Sequence, residues 1–165
     1  MNQLNFSELM NVYSESNMLN GEELHPNLSE QSQILEVEQS FYQYLNDVFF
    51  RQRDSFYAIW ECDDHYISAL RIEPYKDGLL LCGLETAPDA RRQGHAVKLI
   101  LAVLEYLQEI CHCDIYSHIS KKNQPSLLVH EKCGFQVIMD HAVYSDGSVL
   151  HNHYTLIYKH KKSET

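Results

Sequence analysis

One stretch in the middle of the chain, in which a strand, a glycine turn and a helix follow one another, constrains the fold most. Leu79–Thr86 begins with an apolar run typical of a central strand, and Val97–Ile110 repeats apolar residues at helical spacing. Between them lies Arg91–Ala96, with the sequence RRQGHA. A glycine turn that leads from a strand into a helix presents unpaired backbone N–H groups at the positive end of that helix. Such a turn binds phosphate well, so the sequence predicts a phosphorylated ligand here.

The turn differs from the commoner phosphate-binding loops. The chain contains no Gly-x-Gly-x-x-Gly and no glycine loop that ends in Gly-Lys-Ser or Gly-Lys-Thr. A mononucleotide or dinucleotide fold is therefore disfavoured.

Length and composition indicate one globular domain, because 165 residues with 44% hydrophobic content can bury a substantial core. We expect N-terminal helices over residues 1–50, a ligand-binding core over 55–158 and a frayed tail over 159–165, all within a single domain 1–165. No apolar run approaches the roughly 20 residues that cross a bilayer, and Met1–Ser7 lacks a secretory pattern. We therefore expect a cytoplasmic protein without a membrane partner. The net charge of −10 argues against nucleic acid and is compatible with a cationic substrate.

Periodicity and turn residues predict the other elements. Ser7 can cap a first helix that ends near Asn20 and Gly21, and a longer helix runs from Leu28 or Ser29 to about Phe50. The predicted strands are Phe56–Glu61, Tyr66–Glu73, Leu79–Thr86, Asp114–Ile119, Phe135–Met139 and Leu150–Tyr158. Asn123 and Pro125 start a short helix over Gln124–Cys133, and Gly134 ends it.

Two separated segments, LETAPDARRQGHA at residues 84–96 and NQPSLLVHEKCGF at residues 123–135, together with this order of elements, resemble the GNAT superfamily of acetyl-CoA-dependent N-acetyltransferases. The first segment looks like the superfamily's acetyl-CoA motif of strand end, proline and Arg/Gln-x-x-Gly-x-Gly/Ala. The second resembles the helix and strand that flank the cofactor's other side. The resemblance implies an α/β (α+β) fold with a mixed, mainly antiparallel central sheet, flanked by helices, whose strands splay at the cofactor site.

The resemblance also implies where acetyl-CoA, the cosubstrate, would bind. The backbone from Leu84 to Thr86 would bond the pantetheine and polarise the thioester carbonyl. The turn would hold the pyrophosphate through its backbone amides, and its residues are Arg91, Arg92, Gln93, Gly94, His95 and Ala96. Asn123 matches a family position that contacts the cofactor arm. A plainer interpretation stays open for each: Gly94 can be an ordinary turn glycine, and Asn123 only a helix cap.

The implied reaction is direct transfer of acetyl to a primary amine of a small molecule or protein. A lysine-like amine of pKa about 10.4 is neutral in only about one molecule in 2,500 at pH 7, so a general base or a water chain matters more than a strong acid. Many relatives use a tyrosine as acid where this chain has His130, which can act as acid or base or can simply pack. Some relatives place a carboxylate base where this chain has Cys82. Glu85 lies nearby, and simple alternation points it away from the face of Cys82 unless a bulge reverses it.

The last hairpin carries histidines that the resemblance places near the acceptor, namely His141, His151 and His153, the last two on one face of their strand. We expect no metal, because the pair His151 and His153 lacks a third ligand and Cys111-His112-Cys113 lacks a second pair at zinc-finger spacing. The sequence leaves the acceptor and the oligomeric state, a homodimer included, undetermined. Two further hypotheses stay open: a CoA-binding module without turnover, and a partner-binding domain that uses no CoA.

Overall fold

The computed structural model describes residues 4–160. Within that range the strands are β1 (Phe56–Cys62), β2 (His65–Tyr75), β3 (Gly78–Thr86), β4 (Ile115–Ser120), β5 (Gln136–Met139), β6 (Ala142–Val143), β7 (Val149–Leu150) and β8 (His153–Tyr158). Six of them form one sheet in the order β1-β2-β3-β4-β8-β5. All neighbours in this sheet are antiparallel except β3 and β4, which are parallel. The expected mixed, mainly antiparallel sheet flanked by helices is confirmed.

The helices are α1 (Phe6–Val12), α2 (Ser14–Leu24), α3 (Glu30–Asp47), α4 (His95–Ile110) and α5 (Gln124–Lys132). The prediction for the first helix was wrong in three details. Asn5 rather than Ser7 caps it, since the Asn5 side chain accepts a hydrogen bond from the Glu8 amide. The helix divides at Tyr13 into α1 and α2, and α2 continues past Gly21. Gly21 stands inside α2 because a Cβ there would lie 2.9 Å from Cβ of Gln33 on α3.

The two faces of the sheet carry different layers. On one face, α4 packs its buried residues Leu99, Ile100, Val103, Leu104 and Leu107 against sheet residues such as Leu70, Ile72 and Leu81. On the other face, α1, α3 and the short 3-10 helix Phe49–Arg51 after α3 bury Leu9, Val12, Leu45 and Phe49 against Ala69 and its neighbours. No helix in the described part of the chain is both long enough and apolar enough to cross a membrane.

A bulge interrupts the pairing of β2 with β3. Ala69 pairs with Glu85 and Arg71 pairs with Cys82, so one residue of β2 opposes two residues of β3. Gly83 lies at this point with φ of +60°, a left-handed conformation that glycine adopts without steric cost. Because the bulge inserts one residue, Glu85 lies on the same face of the sheet as Cys82, which simple alternation would not allow.

The strands β3 and β4 separate after three paired residues. Only Leu79, Leu80 and Leu81 of β3 pair with β4, the last of them with Ser117. From Ser117 to Ser120, β4 continues alongside β8. The edge of β3 that faces β4 is therefore open after Leu81, and the predicted splay of the sheet is confirmed.

The C-terminal region differs from the prediction in two respects, the first being the short unpredicted strand β6. The predicted strand Leu150–Tyr158 is two strands, β7 and β8, which a turn at His151 and Asn152 separates. β7 pairs with β6 in a small separate hairpin, whereas β8 joins the main sheet. His151 and His153 therefore do not share a strand face, because a turn residue does not follow the alternation of a strand. Most of the predicted tail 159–165 lies outside the described residues.

Candidate active site

A cavity of about 220 Å³, here named the strand gap, lies where β3 and β4 part. It is lined by Leu81, Cys82, Gly83 and Leu84 of β3, by Ser117, His118, Ile119 and Ser120 of β4, by Asn123, Ser126 and His130 at α5, and by His153. Three residues predicted from the sequence, Leu84, Asn123 and His130, thus lie together. The open edge of β3 forms one wall, so backbone groups there are available to a ligand.

The turn before α4 has the geometry of an anion site. Gly94 precedes the helix with φ of +81°, and Arg92 also has a positive φ, of 62°. No side chain among residues 4–160 caps α4, so the backbone N–H groups of His95 and Ala96 in its first turn are free to donate to a ligand. A Cβ on Gly94 would meet no atom within 4 Å. Glycine is therefore required here by the backbone conformation, and the space above it is open.

Two other residues of the predicted site have protein partners. Arg91 forms an ion pair with Glu15 of α2, and its Nε donates a hydrogen bond to the Thr86 carbonyl at 3.2 Å. This contact holds the turn against α2, so Arg91 fixes the position of the turn. Asn123 caps α5, since its side chain accepts a hydrogen bond from the Ser126 amide at 3.1 Å. Asn123 therefore caps the helix that it was predicted to start, and the residue also lines the strand gap.

His130 is buried, with 1% of its surface exposed. Its Nδ1 lies 2.8 Å from the Ser126 carbonyl, which can only accept, so Nδ1 carries the proton. Nε2 then accepts from the Ser117 hydroxyl, 3.1 Å away. Burial lowers the pKa of His130 below its ordinary value. The ring is therefore neutral at pH 7. Its hydrogen bond to Ser117 connects it to a second residue that lines the strand gap.

A second cavity, of about 210 Å³ and here named the helix pocket, lies on the α2 side of the sheet. It is lined by Tyr13, Ser16, Asn17, Asn20, Val37, Phe41, Tyr57, Arg71, Gly83 and Glu85. Gly83 belongs to both cavities. The bulge is therefore the wall across which a ligand in the strand gap and a ligand in the helix pocket can meet.

Two tyrosines hold the bulge in place. The Tyr13 hydroxyl donates a hydrogen bond to the Gly83 carbonyl at 2.5 Å, and the Tyr57 hydroxyl donates to the Tyr13 oxygen at 2.9 Å. Burial raises the pKa of both hydroxyls above the ordinary value of tyrosine. Both are therefore neutral donors at physiological pH, and they keep the Gly83 carbonyl turned toward the helix pocket.

Glu85 is the carboxylate that lines the helix pocket, and the bulge places it there. Burial raises its pKa above the ordinary value, while a hydrogen bond from Ser16 and the charge of Arg91 oppose the shift. A carboxylate with a raised pKa accepts a proton more readily, as a general base must. Cys82 cannot replace it in that role, because burial raises the pKa of the thiol to about 12 and keeps it protonated.

Arg71 and His118 are site residues that the sequence reasoning missed. Arg71 lies on β2 and turns its guanidinium into the helix pocket. His118 lies on β4, between the rings of Tyr75 and Tyr144 at centroid distances of 5.1 and 4.9 Å. Burial lowers the pKa of His118 to about 4. The sequence did carry a signal for Arg71, because a charged residue in the middle of a predicted strand indicates a functional site.

The histidines of the last hairpin lie apart from the helix pocket. Among them, His153 lines the strand gap, and His141 contacts His151 with ring centroids 6.0 Å apart. Within residues 4–160, no three side chains of histidine, cysteine, aspartate or glutamate lie close enough to hold a metal ion.

Comparison with known proteins agrees with this geometry. A family model described as the acetyltransferase (GNAT) family matches residues 19–135. A search of curated proteins gave no match.

Several solved structures share the fold. The PaiA N-acetyltransferase of Thermoplasma acidophilum, solved in complex with coenzyme A, is 15% identical over 94% of this chain and 92% of its own, with a TM-score of 0.62. The ribosomal-protein-alanine N-acetyltransferase of Brucella melitensis is 14% identical over 94% of each chain, also with a TM-score of 0.62. A GNAT-family acetyltransferase of Bacillus anthracis is 16% identical over 94% of this chain and 91% of its own, with a TM-score of 0.60.

Proposed function

The chain belongs to the GNAT family of acetyltransferases, and on that basis we propose that it transfers acetyl from acetyl-CoA directly to a primary amine. The observation that carries the proposal is the meeting of the strand gap and the helix pocket at Gly83. Two cavities that share one backbone wall can bring two substrates together without a covalent enzyme intermediate. Direct transfer needs this arrangement.

The described residues fit acetyl-CoA. The uncapped N-terminus of α4 and the open space above Gly94 suit a pyrophosphate, through the amides of residues 92–96. The open edge of β3 at Leu84–Thr86 suits the amide groups of a pantetheine arm, which pair with backbone as a strand would. When bound, acetyl-CoA would supply an acyl group activated as a thioester.

We propose Glu85 as the group that takes the first proton from the incoming ammonium. The resulting amine nitrogen forms a C–N bond with the acetyl carbon while the C–S bond breaks. The sulfur leaves with the bonding electrons and takes up one proton, and the nitrogen loses its second proton as the amide forms. The net change therefore releases one proton to solvent. Deprotonating a lysine-like amine at pH 7 costs about 4.6 kcal/mol, which is why the base is the larger requirement.

His130 has a narrower role in this proposal. Because its Nδ1 proton is held by the Ser126 carbonyl, the ring can reach a sulfur in the strand gap only through the Ser117 hydroxyl. The one proton of the Ser117 hydroxyl is directed at Nε2, so His130 would orient Ser117, and neither group would supply a proton to the sulfur. A water in the gap would supply that proton, so loss of His130 is expected to slow transfer less than loss of Glu85.

Binding of CoA tests the cofactor half of the proposal. Gly94→Leu places a side chain over the amides of the turn, whereas Gly147→Leu introduces the same strain in a distant turn. Gly147 is a matched control because its φ is +85° and a Cβ there also meets nothing within 4 Å. We expect Gly94→Leu to weaken CoA binding at least tenfold in calorimetry and Gly147→Leu to leave it unchanged. Equal effects of the two variants on CoA binding would contradict the proposal that the turn at Gly94 binds the pyrophosphate.

Turnover separates the enzyme from a silent CoA-binding module. Thiol release from acetyl-CoA should become saturable with at least one class of primary amine, among amino acids, polyamines and lysine- or N-terminus-bearing peptides. Tight CoA binding without thiol release across the whole panel would favour the module instead.

A further inference from the structure

The helix pocket contains a preformed anion-binding group, the guanidinium of Arg71. The side chain is largely buried, with 19% of its surface exposed, and its guanidinium packs against three aromatic rings. Cζ lies 5.7 Å from the ring centre of Phe41, 5.4 Å from that of Tyr44 and 5.9 Å from that of Phe49. These rings fix the plane of the guanidinium, so little freedom would be lost when a ligand binds.

The hydrogen bonds of this guanidinium are incompletely used. Nε is buried and has no hydrogen-bond partner among residues 4–160. The nearest carboxylate oxygen, Oε1 of Glu73, lies 3.9 Å from Nε, which is close enough for an ion pair but beyond hydrogen-bond distance, and it also accepts from the Tyr44 hydroxyl. A buried donor without a partner is costly, and an arginine fork matches the two oxygens of a carboxylate. An anion that enters the helix pocket would supply the acceptor that this guanidinium lacks.

The position of Arg71 relates this anion site to the proposed reaction centre. A Cβ built on Gly83 would lie 3.1 Å from Nε and 3.4 Å from Nη2 of Arg71, so the guanidinium lies against the bulge. Glu85 follows two residues later and lines the same pocket. These two are the charged side chains of the helix pocket, one positive and one negative. A ligand that carries a carboxylate and an ammonium group close together would complement both.

We propose that the acceptor is a small amino acid whose carboxylate binds Arg71 and whose amine faces Glu85. This inference rests on the proposed function and specifies its substrate class. The pocket volume of about 210 Å³ is below the range usual for drug-sized ligands, which agrees with a small acceptor. A polyamine would bring positive charge against Arg71, and a lysine side chain in a protein carries no carboxylate near its amine. Both are disfavoured by the same guanidinium.

The test compares free amino acids with their carboxamides as acceptors, at saturating acetyl-CoA, by thiol release. Because a hydrogen-bonded charge pair is lost in the amide, we expect the free acid to have a kcat/KM about 10- to 100-fold higher. The α-amine of an amide is less basic than that of the acid, so easier deprotonation works against this result. Carboxamides that react as well as the acids would overturn the proposal.

Variants of Arg71 locate the effect. Arg71→Lys keeps the charge and most of the stem but loses the planar fork, and it should reduce the preference for acids to less than threefold. Arg51→Lys is the control, because Arg51 pairs with Asp47 on the surface of α3. If Arg71→Lys fails to fold, the acid-to-amide ratio of the unaltered protein remains decisive.

The outcomes also separate the two levels of the argument. Equal use of acids and amides refutes the amino acid acceptor and leaves the acetyltransferase intact. Turnover of polyamines or peptides, without turnover of free amino acids, also refutes the amino acid acceptor and leaves the acetyltransferase intact. Silence toward every amine, with CoA still bound, contradicts the acceptor and the proposed function together.

Discussion

Replacing Gly83 by alanine probes the bulge on which the geometry of the site depends. The φ of +60° alone makes a side chain there unfavourable by about 1–2 kcal/mol. The added Cβ would also lie 3.1 Å from Nε of Arg71 and 3.5 Å from the Tyr13 hydroxyl. Arg71 cannot retreat freely, because aromatic rings pack against it. Crowding should therefore add about 1 kcal/mol, for a total of about 2–3 kcal/mol.

Gly147→Ala isolates the backbone contribution. Gly147 has φ of +85° and open space around the Cβ position, so only the strain of about 1–2 kcal/mol applies. For a chain of this size, each kcal/mol lowers the melting temperature by roughly 2–4 °C. We expect urea and thermal unfolding to show that Gly83→Ala is less stable than Gly147→Ala by about 1 kcal/mol, or roughly 2–4 °C.

The same variant has a functional signature. Gly83→Ala should reduce kcat/KM for the amine more than it weakens CoA binding, because the displaced groups, Arg71 and Tyr13, line the helix pocket. Gly147→Ala should change neither. If the two variants are equally stable and equally active, the close packing around Gly83 and its role between the cavities are refuted.

Three further predictions concern titratable groups of the site. Glu85→Gln should lower kcat/KM at pH 7 by about 100-fold and leave CoA binding unchanged, and its residual rate should rise about tenfold per pH unit; a full rate at pH 7 would exclude Glu85 as the base. Burial lowers the pKa of His118 to about 4, whereas the unfolded chain has a value near 6.5. The contribution of the neutral ring to the free energy of unfolding is therefore complete above pH 6.5 and is lost as the pH falls toward 4. After allowance for solvent screening, the free energy of unfolding should fall by about 2 kcal/mol over this pH range, as denaturant titrations would measure. His118→Phe should remove that part of the pH dependence, and a variant with the same pH dependence as the unaltered protein would contradict the role of His118. Cys82, with a pKa of about 12, should resist a maleimide at pH 7 while the exposed Cys62 reacts, as peptide mapping by mass spectrometry would show; rapid labelling of Cys82 would mean that its side chain is accessible.

The parts of the fold that the sequence predicted depend on local chemistry. The turn before α4 was predictable because Gly94 and the apolar runs on both sides are signals within about twenty residues. The start of α5 was predictable for the same reason, since Asn123 caps the helix and Pro125 favours its first turn. The order of strands on both sides of the turn followed from alternation and turn residues.

The parts that the sequence did not predict depend on contacts between distant residues. The division of the first helix occurs at Tyr13, whose hydroxyl bonds Gly83 seventy residues away. The same contact holds the bulge that turns Glu85 toward the helix pocket, so the face of Glu85 could not be derived from strand alternation. Arg71 was missed because its environment comes from α3, which is remote in sequence.

The arrangement of the two substrates is tested most directly by a crystal structure of the protein with CoA bound. We expect the pyrophosphate to contact the amides of residues 92–96 and the sulfur to lie in the strand gap beside Gly83. The helix pocket, with Arg71 and Glu85, should remain open on the other side of the bulge. CoA bound outside the strand gap, or a sulfur that points away from Gly83, would contradict the proposed site.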